Sequence, residues 1–297
     1  MNKWIRLTVL TLVMALLLSL TPGTAYATQA DLEDWTLDDL TATQVVVYNT
    51  ATGEYLLEDG YSSGKVYPAS ITKLFTSFVA LQYLNEDTRV TAGSELALVG
   101  EGSSIAVINE GETLTVSQLV EGLLLPSGND AAYVLATAAG RIIAGDSGLP
   151  YKAAIRVFVD EMNRTARILG LKDTHFMNPD GYHVGGHYSS LRDLVKIGQL
   201  SMENPVISRY VRVHQDDVVY KTGQDRRWKN TNELIHPDSE YYLESACGLK
   251  TGYTGIAGNC LLSAIRQEEG YLIIGVFGCP EGSDRFRDTI GLAKLYG

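Results

Sequence analysis

Cysteine is scarce in this chain: three in 297 residues, at positions 247, 260 and 279. Three are too few for a disulfide framework, and their spacing fits no zinc-ligand pattern. An excess of basic residues is missing too. With 24 Lys and Arg against 35 Asp and Glu, the formal net charge is −11. That balance argues against nucleic acid and against anionic membrane as partners, while a cleft can still hold positive potential locally. Internal repeats and low-complexity tracts are lacking. After the N-terminal region, so is any apolar stretch long enough to span a bilayer.

The N-terminus reads as an export signal. Lys3 and Arg6 precede the apolar run Leu7 to Leu20, Pro22-Gly23 breaks it, and Ala25-Tyr26-Ala27 offers a small-x-small cleavage site. The expectation is a signal peptide over 1–27, with an uncleaved anchor as the minor alternative. It implies an exported protein, in the periplasm or the extracellular cell-wall space, with no transmembrane span after cleavage. Residues 28–42 form an acidic lead-in, and 43–297 suffice for one large domain or two intimately packed lobes.

Thr43 to Asn49 is β-branched and reads as a strand, paired with Glu54 to Glu58 across Thr52-Gly53. Ser70 to Leu84 is apolar on nearly every side, the pattern of a helix buried mid-domain. Thr115 to Gln118 matches a capping box ahead of a helix at Leu119 to Leu125. Further helices are expected at Asn129 to Gly140, Tyr151 to Leu169, Ser190 to Met202 and Ser283 to Leu295. Strands are expected at Cys260 to Ile265 and Tyr271 to Phe277. Strands at both ends with helices between imply an α/β (α+β) fold: one antiparallel sheet completed by distant segments, with an inserted helical lobe.

Two short motifs occur twice. Ser-x-x-Lys appears at Ser62…Lys65 and Ser70…Lys73, and Lys-Thr-Gly at Lys221 and at Lys250. A bare Ser-x-x-Lys arises by chance in a chain of this length, so context must choose. Ser62 lies in a turn-like Tyr-Ser-Ser-Gly-Lys stretch with no helix behind it. Ser70 follows Pro68-Ala69 and opens the most apolar helix, with Lys73 on the same face. An N-cap serine followed by a snorkelling lysine is the usual fate of such a pair, but a lysine inside an otherwise apolar helix is a poor structural choice. Burial and the positive helix end would depress the Lys73 pKa, giving an amine able to take the Ser70 proton. Lys221-Thr222-Gly223 leads into Gln-Asp-Arg-Arg, an exposed turn. Lys250-Thr251-Gly252 leads instead into the strand at Cys260, where a sheet edge can offer main-chain bonds to an extended peptide.

Ser70/Lys73, Ser127/Asn129 and Lys250/Thr251, in that order, match the three-part signature of penicillin-recognising serine enzymes. The segments YPASITKLFTSFVAL, GLLLPSGNDAAYVLA, HFMNPDGYHVGGHYSS and NTNELI…GLKTGYTGIAGNCLLSA closely resemble the serine-type D-alanyl-D-alanine carboxypeptidases, low-molecular-weight penicillin-binding proteins. The resemblance runs from about Thr43 to the C-terminus. It implies the β-lactamase/penicillin-binding-like fold and removal of the terminal D-alanine from peptidoglycan pentapeptides. It also implies these roles: Ser70 as nucleophile, Lys73 as general base, Ser127 as proton relay and Asn129 orienting Lys73 and the substrate amide. Lys250, Thr251 and Gly252 would bind substrate, and the backbone N–H groups of Ser70 and Tyr253 would form the oxyanion hole. β-Lactams are implied as inhibitors at Ser70. No cofactor or metal is expected: His183 and His187 are four apart, but Gly185-Gly186 disfavours the helix that would align them.

Two rivals remain at this level, a β-lactamase-like hydrolase and a non-catalytic β-lactam-sensing domain. The first lacks its deacylating Glu-x-x-Leu-Asn loop, since Glu161-Met162-Asn163 has the wrong spacing. Many relatives continue into a β-rich domain and an anchoring helix, so a bare catalytic domain is expected here. Cys247 stands where aspartate is often found, and Tyr182 where leucine is common, a change expected to alter packing. If Glu269-Gly270 is a two-residue hairpin loop, Cys260 and Cys279 face each other. A bridge and a pair of reduced thiols are then both open.

Overall fold

The computed structural model describes residues 32, 34–60, 64–219 and 225–297. The export signal expected over 1–27, Ser62 and the Lys221-Thr222-Gly223 motif lie outside the described residues. The architecture that follows is that of the unit Trp35–Gly297.

A hairpin of β1 (Gln44–Asn49) and β2 (Glu54–Asp59) opens the fold, and three long strands close it: β7 (Ala246–Thr254), β8 (Gly258–Arg266) and β9 (Tyr271–Cys279). The five form one antiparallel sheet in the order β2-β1-β9-β8-β7. The N-terminal hairpin thus extends a sheet made by the C-terminus, as the strand pattern implied. Val45, Val46 and Val47 of β1 are all buried, and so are consecutive residues of β8 and β9. Burial at consecutive positions means that both sheet faces are covered. The helices packed on the central strands are α5 (Leu191–Glu203) and α7 (Asp284–Tyr296). Ser190 caps α5, its hydroxyl accepting from the Asp193 N–H at 3.2 Å.

Between β2 and β7 lies the helical lobe: α1 (Thr72–Ala80), α2 (Val116–Leu124), α3 (Asn129–Ala144), α4 (Tyr151–Ile168) and α6 (Pro205–Tyr210). Helix α1 touches all of the others and α5 as well, and every one of its residues except Phe78 is buried. A surface helix needs one apolar stripe, whereas a helix surrounded by others needs apolar contact all round. The helix expected from Ser70 is shorter than its apolar pattern: Ala69–Ile71 form a 3₁₀ turn, and α1 ends at Ala80. The capping box at α2 forms as expected, Thr115 accepting from the Gln118 N–H at 3.1 Å.

The β8–β9 turn departs from the two-residue expectation. Arg266 pairs with Tyr271, so Gln267–Gly270 make a four-residue turn with Gly270 at φ +71°. A bulge between Asn259 and Leu261 then places Asn259, not Cys260, across from Cys279. All three cysteines are free and buried. The register error came from reading two turn residues as the loop when four are needed.

Two ribbons escaped the sequence reading: β3–β4 (Arg89–Thr91, Thr113–Thr115) and β5–β6 (Gln215–Val219, Asp225–Lys229). The second braces the segment Gly100–Glu112. Trp228 Nε1 donates to the Ala106 carbonyl at 3.0 Å, and the Arg226 guanidinium forks onto the Glu112 carboxylate at 2.8 and 2.7 Å. Burial works against the Glu112 charge, yet Arg226 and Asn109 hold this carboxyl down at about 2. Glu112→Gln would remove the carboxylate charge that faces a buried guanidinium, at a cost of about 3 kcal/mol at pH 7. Because the folded-state pKa lies below the unfolded one, the gap to wild type should narrow as pH falls from about 5 toward 2. Urea unfolding of both proteins across that range checks it.

Candidate active site

The turn that carries Ser70 is shaped by close backbone contacts with two glycines. Ala69, immediately before Ser70, has φ +47°, a left-handed conformation uncommon for a residue with a side chain. Two glycines hold it from either side. A Cβ on Gly181 (φ +81°) would lie 1.9 Å from the Ala69 carbonyl oxygen. A Cβ on Gly252 would lie 3.0 Å from Ala69 Cβ and 3.2 Å from the Ser70 backbone nitrogen. The Lys-Thr-Gly strand therefore needs its glycine: at the outer edge of the sheet, β7 lies flush against the serine turn.

Lys73 follows on α1 and is fully buried. Its Nζ donates to Ser70 Oγ at 2.7 Å, to Asn129 Oδ1 at 2.7 Å and to the Asp180 carbonyl at 2.8 Å. These acceptors use all three ammonium protons. Burial lowers the Lys73 pKa to about 8, with Asp180 and Asp130 opposing the fall. When one proton is lost, the bond to Ser70 can reverse, with the hydroxyl donating to the amine. That is the first step in activating an alcohol.

Asn129 heads α3, and its amide also donates to Ser103 Oγ at 2.9 Å. Asp130 beside it accepts from the N–H groups of Ala106 and Ile108 at 2.8 and 2.9 Å. The segment facing Ser70 is thereby pinned to the same helix end. Ser127, with φ +62°, lines the cleft just ahead of it.

On β7, Lys250 is as buried as Lys73. Its Nζ donates to the Thr251 carbonyl at 3.2 Å and to Thr231 Oγ1 at 3.4 Å, while the hydroxyls of Thr231 and Thr251 meet at 2.5 Å. Burial and the nearby cations Lys73 and Arg285 push the Lys250 pKa well below the usual lysine value. An arriving anion would draw a proton back onto it.

Ser70, Ser127, Asn129, Thr251, Gly252 and Tyr253 thus line one cleft of about 570 Å³. Lys73 and Lys250 stand directly behind it. Thr231 and Arg285 are among the lining residues that were given no role from sequence. Arg285 Nη1 donates to the Gly252 carbonyl at 3.3 Å, and its Nε is buried without a partner. It sits at the start of α7, remote in sequence from every motif. The available signal was periodicity: Arg285, Thr289 and Leu292 fall on one helix face, and the other two are core residues. Of the other sequence candidates, His183 lines the cleft, whereas Lys65, Glu161 and His187 are not among its lining residues. Lys65 stacks over the Tyr188 ring at 4.2 Å. Glu161 is engaged by Tyr83, Arg164 and Thr165. His187 uses both ring nitrogens, on Thr72 Oγ1 at 2.9 Å and on the Met177 N–H at 3.2 Å.

The family model described as D-alanyl-D-alanine carboxypeptidase matches residues 28–281. The chain is 37% identical over 215 residues to the D-alanyl-D-alanine carboxypeptidase of Streptomyces sp. (strain K15), covering 69% of this chain and 70% of that protein. It is 30% identical over 249 residues to D-alanyl-D-alanine carboxypeptidase DacF of Bacillus subtilis (strain 168), covering 82% of this chain but 59% of that longer protein. Among solved structures, the Streptomyces K15 DD-transpeptidase superposes with a TM-score of 0.76 at 32% identity, covering 86% of this chain and 96% of that one. Penicillin-binding protein D2 from Listeria monocytogenes, in an ampicillin-bound form, gives a TM-score of 0.69 at 26% identity, covering 86% and 97%.

The glycine in Lys-Thr-Gly yields a direct test. In Gly252→Ala the new methyl crowds the Ser70 N–H, so the rate of Ser70 acylation should fall by about 10²–10³, the loss typical of an oxyanion donor. The melting temperature should change little, because the neighbouring atoms can give by a few tenths of an ångström. Stopped-flow acylation and thermal melts of both proteins check this.

Proposed function

The chain belongs to the D-alanyl-D-alanine carboxypeptidase family of serine hydrolases, and we propose that it removes the terminal D-alanine from peptidoglycan stem peptides through a Ser70 acyl-enzyme. The observation that carries this reading is the pair of hydrogen bonds from Lys73 Nζ to Ser70 Oγ and Asn129 Oδ1, beside a cleft that Arg285 also lines. The neutral Lys73 amine takes the Ser70 proton as Oγ attacks the carbonyl between the two D-alanines. The tetrahedral oxygen is received by the Ser70 and Tyr253 backbone N–H groups, and the close approach of Gly252 to the Ser70 nitrogen supports that placement. Ser127 passes a proton to the leaving amine, and free D-alanine departs. Water then attacks the ester by the reverse proton path and regenerates Ser70.

A substrate ending in a free carboxylate needs a fixed cation. Arg285 offers one at the cleft wall, and Lys250 offers a second through the Thr231–Thr251 hydroxyls. The Asn129 amide and the open edge of β7 suit the extended peptide that precedes the scissile bond. A β-lactam presents a strained amide and a carboxylate in the same relation, so it acylates Ser70 as well. A β-lactamase reading has less support, because Glu161 is committed to Tyr83 and Arg164. The N-terminal export pattern supports action outside the cytoplasmic membrane. Among the described residues, no helix is long and apolar enough to cross one.

D-Alanine release from a pentapeptide ending in D-alanyl-D-alanine tests the reading, with penicillin labelling run beside it. Ser70→Ala should lose both and Ser62→Ala neither; equal loss in the two would overturn the assignment. Arg285→Leu should raise KM at least about tenfold for the peptide acid. On the same peptide with a C-terminal amide it should have little effect, since no carboxylate is there to lose its partner.

A further inference from the structure

The loop that gives Lys73 its third acceptor does so through the Asp180 main chain, and the Asp180 side chain is left over. That carboxyl is 1% exposed. Its carboxyl accepts from the Tyr182 N–H at 3.2 Å and from its own backbone N–H, and among the described residues its Oδ2 has no hydrogen-bond partner. A buried carboxylate ordinarily gathers several donors, so an orphaned oxygen calls for a reason.

Lys73 supplies one. Its ammonium touches only neutral oxygens, yet two carboxylates act on it through space, Asp180 and Asp130. Asp130 is committed to the backbone N–H groups of Ala106, Ile108 and Ala131. Asp180 has looser ties, to its own N–H and that of Tyr182 on the same loop, with one oxygen left over. Lys250 provides the contrast: it is equally buried, but the charges acting on it are the cations Lys73 and Arg285. Its pKa falls well below the ordinary lysine value, whereas that of Lys73 falls only to about 8.

We propose that Asp180 is the counter-charge of the general base: a buried carboxylate, acting on Lys73 through space, that determines the pH at which Ser70 becomes nucleophilic. It is a positioning residue, and the inference rests on the reading of Lys73 as base. The groups facing the pair are Asp130 and Tyr133 of α3 (Asn129–Ala144) and Lys250 of β7 (Ala246–Thr254). Burial and Asp180 both push the Tyr133 hydroxyl up, so it stays neutral, while Lys250 is driven toward its neutral form. The proton on Lys73 is therefore held by Asp180 and Asp130, and only Asp180 can be changed without unpinning the cleft segment. Burial pushes the Asp180 carboxyl up and Lys73 draws it back, as expected of a coupled buried pair.

A carboxylate favours the charged lysine, so removing its charge lowers the Lys73 pKa and frees the amine at lower pH. Asp180→Asn keeps the shape and the main-chain carbonyl. Stopped-flow acylation by penicillin G from pH 5 to 10 should show the acid limb of wild type near pH 8. In Asp180→Asn the limb should move at least about half a unit toward acid, read as a roughly threefold faster acylation at pH 6. An unmoved limb with a lowered plateau would mean a structural role alone and would overturn the proposal. A ¹³Cε titration of Lys73 in both proteins gives the same shift without any activity, so a wild type that failed to acylate would sink the proposed function and leave this inference decidable. Should Asp180→Asn not fold, the ¹³Cγ resonance of Asp180 in wild type decides. An ionised carboxylate at pH 7 supports the proposal, and one protonated from pH 6 to 9 overturns it.

Discussion

Lys73 is a lysine ammonium held in the centre of a helical lobe, and the architecture around the cleft follows from keeping it there. Burying a charge in apolar surroundings is prohibitive unless it is hydrogen-bonded or neutralised. The fold meets that condition with three oxygens from three separate segments: Ser70 on the preceding turn, Asn129 at the head of a neighbouring helix, and the Asp180 carbonyl on a distant loop. Each of those segments is anchored in turn. Asp130 pins the cleft segment at Ala106 and Ile108, and Thr76 Oγ1 donates to the Pro179 carbonyl at 2.7 Å. His187 ties its loop to Thr72. The solvation of one amine thus brings together Ser70, Asn129 and a rim of the cleft.

The same economy governs the opposite wall. The serine turn is left-handed at Ala69, and the backbones of Gly181 and Gly252 press on it from two sides. A side chain at Gly181 would collide with the turn, and one at Gly252 would crowd it. The sheet edge can thereby lie beside Ser70 with its lysine behind the cleft. Charge is distributed with equal care on an acidic protein. Arg285 lines one cleft of about 570 Å³, and Lys73 and Lys250 stand behind it as amines that an arriving anion can hold in their charged form.

Much of this was legible in the residues. The all-round apolar pattern behind Ser70 marked a central helix, and a lysine inside it was the anomaly that pointed to chemistry. The β-branched run at Val45–Val47 and the two C-terminal apolar strands revealed a sheet shared between the chain ends. Other parts were not legible, each for a physical reason. The hairpin loop spans four residues instead of two, and a bulge at Asn259/Leu261 resets the pairing, so the cysteine alignment failed. Short, exposed ribbons such as β5–β6 carry little periodicity of their own. They are stabilised by what they brace, the Trp228–Ala106 and Arg226–Glu112 contacts.

The sequence by itself determined the family, the sheet-and-helical-lobe class and the residues of the three motifs, because local patterning and motif context are properties of contiguous segments. Only the tertiary structure decided which cations wall the cleft, and it added Arg285 from the last helix. It alone left one oxygen of the Asp180 carboxyl, near Lys73, without a hydrogen-bond partner among the described residues, and gave the glycines their meaning. Those features depend on burial and close approach between segments about a hundred residues or more apart, such as Lys73 and Asp180, with |i−j| of 107. No local pattern records such distances.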